Sequence, residues 1–290
     1  MTNPGRNVLR RHRGALTAVY GAIAVENAFD LLYPFAIGLA IDDLLARSST
    51  RGLWLFVGIW SLHTVVGVAR QRYDTRVFSA IYAETATDLV TAQRAAGAEV
   101  SMVAARATLA RELVDAFDAD VARLIAAAFA VLGSLVMLYL YDPLLGAVAT
   151  LLVVPVWLLN RRLARRSRPL HAQVHDQLEG ETELIRRANR AAVTAHYRLL
   201  ARRRVVLSDT HAATWGLLEV FAIALAVFAF LRTTDVTAEP GRVFATVAYV
   251  FAYLTGFEDV PELTQQAANL RDIARRLDAG TAGEQTRPEP

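Results

Sequence analysis

Glu26, Asp30, Glu219, Glu258 and Asp259 are carboxylates set inside stretches of sequence that are otherwise apolar. A charge at the centre of a bilayer costs ~2.5–3.5 kcal/mol or more unless it faces a bundle interior, a cavity or a partner. Glu26 and Asp30 lie one helical turn apart and so share a face. Asn27 and Tyr33 stand close by, and Pro34 is placed to kink the helix. Glu258 and Asp259 fall between Gly256 and Pro261, an irregular point, with Tyr249, Tyr253 and Phe257 on the same stretch. Carboxylates beside aromatic rings suit a cationic, partly apolar ligand through charge pairing and cation–π contact. The same acids also fit plainer roles, as interhelical hydrogen-bond partners or as partners of arginines at the membrane edge. The expected substrate cavity comprises Glu26, Asn27, Asp30, Tyr33, Glu219, Tyr253, Glu258 and Asp259.

Other reactive side chains read as structural. His63 beside Trp60 reads as a packed polar residue. His171 and His175 have the i, i+4 spacing that can hold a metal, with Asp176 next to them, but a third clear ligand is missing, so they read as a solvated face and no metal site is expected. Asp74 and Arg76, two apart, cannot pair on a helix; the stretch 74–78 reads as a contact with another helix or a second copy of the chain. No Ser-His-Asp or paired-carboxylate hydrolytic arrangement is readable in the segments expected to be cytosolic. Cysteine is absent, which excludes disulfides and thiolate metal sites. All 31 basic residues are arginine, so a phosphate loop ending in G-K-[ST] cannot form. The chain is therefore expected to be no enzyme and to carry no cofactor of its own.

These residues need elements to hold them. The stretch 53–94 opens as an apolar span and runs without Gly or Pro after residue 67 into a charged half, where Val77/Phe78, Ile81/Tyr82 and Leu89/Val90 keep helical spacing. One helix of that length is ~63 Å long, about twice the ~30 Å of a bilayer core. Six spans are expected, at 15–40, 53–70, 124–141, 144–160, 215–232 and 243–260, with only residues 141–143 between the third and fourth. The basic start followed by an apolar run resembles a signal peptide, but the run continues to Leu45, too long for one.

Arginine flanks the spans instead of forming a patch for nucleic acid. With the N-terminus inside, 27 arginines fall on the inner side and only Arg47, Arg51, Arg232 and Arg242 outside, which puts both termini in the cytoplasm. Residues 70–123 and 160–214 each read as two helices joined by one reversal. The first reversal is expected near 97–101, with Ser101 as N-cap of the returning helix, and the second near 188–196. The tail 279–290 reads as disordered.

Six membrane helices with two deep intracellular hairpins resemble the transmembrane domain of ABC exporters. LYPFAIGLAIDDLL at 32–45 resembles that family's first helix, a proline followed by a small residue and an Ile-Asp pair. DPLLG at 142–146, running on to Val154-Pro155, is similar to its fourth helix. Gly180 with Tyr197 is similar to its second hairpin, and Phe251 to Leu277, with Pro261 and Arg275-Arg276-Leu277, to its sixth helix. The resemblance covers 15–278, between a cytoplasmic segment 1–14 and the tail. The family normally continues into a nucleotide-binding domain, and this sequence stops where the linker would begin.

The resemblance implies an all-α membrane protein of a bacterial cytoplasmic membrane, working as a homodimer. It would move a small cationic or amphipathic substrate, with ATP hydrolysis on a separate nucleotide-binding subunit. Coupling to that subunit would fall on hairpin tips near Gly97, Glu99, Ser101, Asn189, Arg190 and Thr194. The tips depart from the family pattern: RAAGAEVS at 94–101 replaces an aromatic pair, an Asp and a Gly, and Arg190 stands where an acid is usual. That departure favours a second expectation, an exporter-fold protein without ATP coupling that binds a ligand or acts as scaffold or accessory subunit. A third is proton-coupled transport through Glu26 and Asp30.

Overall fold

The computed structural model describes residues 10–46, 49–179, 190–236 and 239–258. Every regular element among them is helical. The helices are α1 (Arg13–Ala46), α2 (Arg51–Ala95), α3 (Val100–Ala128), α4 (Ser134–Tyr141), α5 (Pro143–Glu179), α6 (Arg190–Val236) and α7 (Pro240–Glu258). A π-helical turn, Phe129–Gly133, joins α3 to α4 without a break. Four stretches are long and apolar enough to cross a membrane: Arg51–Ala95, Val100–Tyr141, Pro143–Ser167 and Arg190–Thr234. The span expected at 15–40 falls on α1 and the described part of that at 243–260, up to residue 258, on α7; both helices lie outside that set.

The chain divides into two compact units, residues 1–141 with 234–290, and residues 142–233. In the first, α1 packs along α2, α3 and α7, and α3 packs back on α2. Leu16, Val19 and Ile23 of α1, Phe78 and Ile81 of α2 and Val114 of α3 form its core. The spacing of Phe78 and Ile81 is the pattern read in the charged half of 53–94. The α2 helix runs unbroken for 45 residues, ~67 Å at ~1.5 Å per residue. Arg11 pairs with Glu84 and, at 3.0 Å, with Asp88, while His12 Nε2 lies 3.0 Å from Glu84, so the two residues just before α1 are strapped to the far half of α2.

Each turn has a local cause. At the end of α2 the Ala98 amide donates to Gln93 O at 3.0 Å and the Gly97 amide to Arg94 O at 3.1 Å. That is the Schellman pattern, and Gly97 takes the positive φ of 79° it demands. Ser101 is not the N-cap expected of it. Glu99 holds that position with extended backbone, and Ser101 lies inside the first turn, its hydroxyl donating to Glu99 Oε1 at 2.9 Å. The extended residue must precede the first helical one, and α3 starts at Val100.

The far end of the first unit is closed by the Asp42-Asp43 pair. Asp43 Oδ2 accepts the Gly52 amide at 2.8 Å and Asp42 Oδ1 the Gly241 amide at 2.7 Å, so one acid pair caps the starts of both α2 and α7. Close approach there requires glycine: a Cβ on Gly241 would lie 1.8 Å from Gly38 O. The π-turn sits where Leu31 of α1 covers Gly133 and Gly256 of α7 meets Val131.

In the second unit, Leu145, Ala149, Leu152 and Val156 make one buried face of α5, and Leu225, Ala229 and Thr233 one of α6. Pro143 opens α5 at the position where a missing N–H costs nothing. Asp142 caps it, accepting the Leu144 amide at 2.9 Å, and its other oxygen meets Arg232 Nε of α6 at 2.7 Å.

A candidate functional site between helices α1 and α2

One face of α2 carries Trp60, His63, Gly67, Arg70 and Asp74, spaced three and four apart in alternation. One face of α1 carries Glu26, Asp30 and Tyr33. This periodicity lines up two polar stripes along the α1–α2 seam. Tyr33 Oη lies 2.5 Å from His63 Nδ1. His63 Nδ1 is also 3.7 Å from Asp30 Oδ1, and His63 Nε2 is 3.9 Å from Glu26 Oε1. Glu26 Oε2 pairs with Arg70 Nε, and Arg70 Nη1 donates to Asp74 Oδ2 at 2.5 Å. Gly67 makes room for the Glu26 carboxylate, which would lie 3.0 Å from a Cβ there.

Aromatic rings flank the polar stripe. Phe29 stacks on His63 with centroids 5.6 Å apart, and Tyr33 meets Trp60 at 6.0 Å and Phe56 at 6.3 Å, both edge-on. With the Tyr33 hydroxyl donating to Nδ1, a neutral His63 carries its proton on Nε2, toward Glu26. The Asp30 side chain is 57% exposed, whereas Glu26 is 21% exposed and committed to Arg70. Asp30 is thus the acid of the seam open to an outside partner, with rings beside it. That combination can hold a cation.

The stripe continues beyond the span 53–70. Asp74 lies one turn past it, buried in the wall of the α1–α2–α3 core. Burial pushes its carboxyl above the ordinary aspartate range; Arg70 opposes that shift and Glu26 adds to it. Asp118 of α3 is raised as well, first by burial and then by Asp74 and Asp115.

The other expected cavity residues do not join this seam. Asn27 spends its amide on Ile23 O of its own helix at 2.8 Å. Tyr253 is fully buried in the first unit, edge-on to Phe257 at 4.9 Å. Glu219 stands half-buried on α6, in the second unit. Glu258 ends α7, its side chain outside the described residues along with Asp259.

At the tips, Gly97, Glu99 and Ser101 are exposed, and the Arg94 guanidinium closes the turn on Ala98 O at 2.9 Å. Arg190 and Thr194 are exposed on α6. Residues 190–196 are helical; Asn189 and the rest of that expected reversal lie outside the described residues, as do the side chains of His171, His175 and Asp176 and the tail. Among the described residues no three His, Asp or Glu are grouped as a metal site.

Sequence reading took His63 and Asp74 separately, as a packed polar residue and a helix contact, and missed that they share one seam with Gly67 and Arg70. The signal was present in the alternating spacing of residues 60, 63, 67, 70 and 74. It also missed Arg70 as the helical-turn partner of Asp74, and a cavity of about 320 Å³ at the Asp42 end. Asp42, Tyr141, Glu239 and Arg242 line that cavity, where Arg242 donates to Tyr141 O at 2.6 Å.

A family model described as ABC transporter transmembrane region matches residues 5–239. No curated protein is similar enough to the chain to count as a match.

Proposed function

The chain belongs to the ABC transporter transmembrane region family, and we propose that it supplies one half of a transport pathway for small cationic or amphipathic molecules. It is a multi-pass membrane protein by family and by its apolar helices. In our reading α1 and α7 complete six spans, both termini face the bacterial cytoplasm, and two copies form the pathway. A separate nucleotide-binding subunit supplies ATP hydrolysis; this chain contributes no catalytic residue and no cofactor. The observation that carries the substrate class is Asp30, an exposed carboxylate 3.7 Å from His63, whose ring meets Tyr33, which in turn meets Trp60. A cation lowers the cost of that charge, and the rings add attraction.

The half of α2 past residue 70, with the start of α3, forms the lever toward the nucleotide-binding subunit. Gly97, Glu99 and Ser101 stand at its tip, and Arg190 and Thr194 on the second lever. The test is co-purification of the full chain with each nucleotide-binding subunit encoded in the same genome, followed by ATP-dependent flux of tetraphenylphosphonium in proteoliposomes. Binding plus flux supports the reading; no binding and no flux with any of them removes ATP coupling. The second reading then stands: a ligand-binding, scaffold or accessory protein of the same fold. It is favoured by a tip that offers small side chains and closes on itself through Arg94.

A further inference from the structure

The seam holds more acid than base. Glu26 and Asp30 on α1, Asp74 on α2 and Asp118 on α3 face Arg70 and His63. Even with His63 charged, four carboxyls meet two cations. Water can solvate Asp30, which is exposed. Asp74 has no such outlet: it is 5% exposed, and its Oδ1 meets no hydrogen-bond partner among the described residues. A buried carboxylate with an unpartnered oxygen, sharing its one arginine with a second acid, is the group in this seam that gains most by neutralisation.

We propose that Asp74 is a proton-binding site that links protonation to the separation of α1 from α2. With the helices together, Arg70 is divided between Glu26 and Asp74, and the Asp74 carboxyl holds a proton up to higher pH than it does with Arg70 to itself. When α1 moves away, Glu26 leaves and Arg70 is free to neutralise Asp74 alone. The O–H bond of Asp74 then breaks, the electron pair stays on the carboxylate and the proton passes to water. Acid therefore favours the closed seam and alkali the open one. The groups facing Asp74 are Arg70 on its own helix, Glu26 on α1 and Asp118 on α3. Asp118 is in turn faced by Asp115 on its own helix and by Tyr20 on α1. This site needs neither the ATP partner nor the substrate assigned above.

The test is infrared spectroscopy of the full chain in nanodiscs, following the protonated-carboxyl band in wild type, Asp74→Asn and Glu26→Gln as pH is lowered from ~7 toward ~4. The band lost in Asp74→Asn is expected to titrate with a midpoint above the ~3.9 of free aspartate. In Glu26→Gln, where Arg70 is released to Asp74, the midpoint is expected to fall. Should Asp74→Asn fail to fold, the direction of the Glu26→Gln shift, read against wild type, decides. A midpoint at or below ~3.9, or no downward shift in Glu26→Gln, overturns the proposal.

Discussion

Arg70→Gln tests the seam most sharply. Arg70 serves two acids, Glu26 across the α1–α2 seam and Asp74 one turn further along α2. Its removal strands Asp74, whose side chain is 8% exposed, next to a Glu26 of like charge. Breaking a buried pair from one side costs ~3–5 kcal/mol, because the remaining charge stays desolvated. Two features lower that figure here: the Arg70 side chain is itself 24% exposed, and Asp74 can take up a proton. The expected loss is ~2–3 kcal/mol, a ~30- to ~150-fold shift of the unfolding equilibrium at ~1.4 kcal/mol per decade. The assay is equilibrium unfolding in mixed micelles of rising denaturing-detergent content, read by the fluorescence of the four tryptophans. Adding Glu26→Gln to Arg70→Gln removes one stranded acid and is expected to restore about half of the loss, the coupling a double-mutant cycle isolates. An Arg70→Gln effect within ~0.5 kcal/mol of zero, the range of an ordinary surface change, refutes the argument. So does a double variant no more stable than the single one.

Other consequences follow from the same geometry. Gly241→Ala drives a Cβ to 1.8 Å from Gly38 O and is expected to destabilise by ~3 kcal/mol or more, whereas Gly58→Ala, with nothing within 4 Å, is expected to be neutral or to stabilise by up to ~1 kcal/mol; thermal unfolding in detergent separates them. Asp142→Ala removes both the α5 cap and the partner of Arg232, for ~1–2 kcal/mol, and Asp142→Asn keeps the cap and loses less; parallel unfolding measurements check the order. Because the Asp74 carboxyl is raised in the folded protein, that protein binds more protons than the unfolded chain just above the ordinary aspartate range. The contribution of Asp74 is therefore full at acid pH and lost as pH rises through its folded pKa, so wild type should gain stability relative to Asp74→Asn as pH falls.

The fold was legible where apolar periodicity is strong. Val77, Phe78 and Ile81 announced that α2 continues as a helix beyond its apolar half, and Phe78 and Ile81 are buried where that spacing put them. The short link expected at residues 141–143 is where α5 starts, with Asp142 as its capping acid and Pro143 at the first helical position. The site was half legible. Glu26, Asp30 and Tyr33 stood out as polar groups among apolar ones. Gly67 and Arg70 did not, since an arginine beside an apolar span looks like ordinary flanking charge, and His63 and Asp74 were read only as a packed polar residue and a helix contact. Only the pairing of α1 with α2 joins them into one stripe, and that pairing is a tertiary fact. Ser101 was misread because a serine near a turn is a common cap; the deciding register, a left-handed Gly97 followed by an extended Glu99, depends on backbone angles that residue type does not fix.

Substrate exchange measures the central claim without an ATP partner. Proteoliposomes loaded with unlabelled tetraphenylphosphonium are placed in the labelled ion, and its entry is followed for wild type, Asp30→Asn and protein-free vesicles. Our account predicts entry faster than in protein-free vesicles for wild type, reduced ~5- to ~30-fold in Asp30→Asn, equivalent to the ~1–2 kcal/mol of a charge and ring contact. Wild-type entry no faster than in protein-free vesicles, or an Asp30→Asn rate equal to wild type, would contradict it.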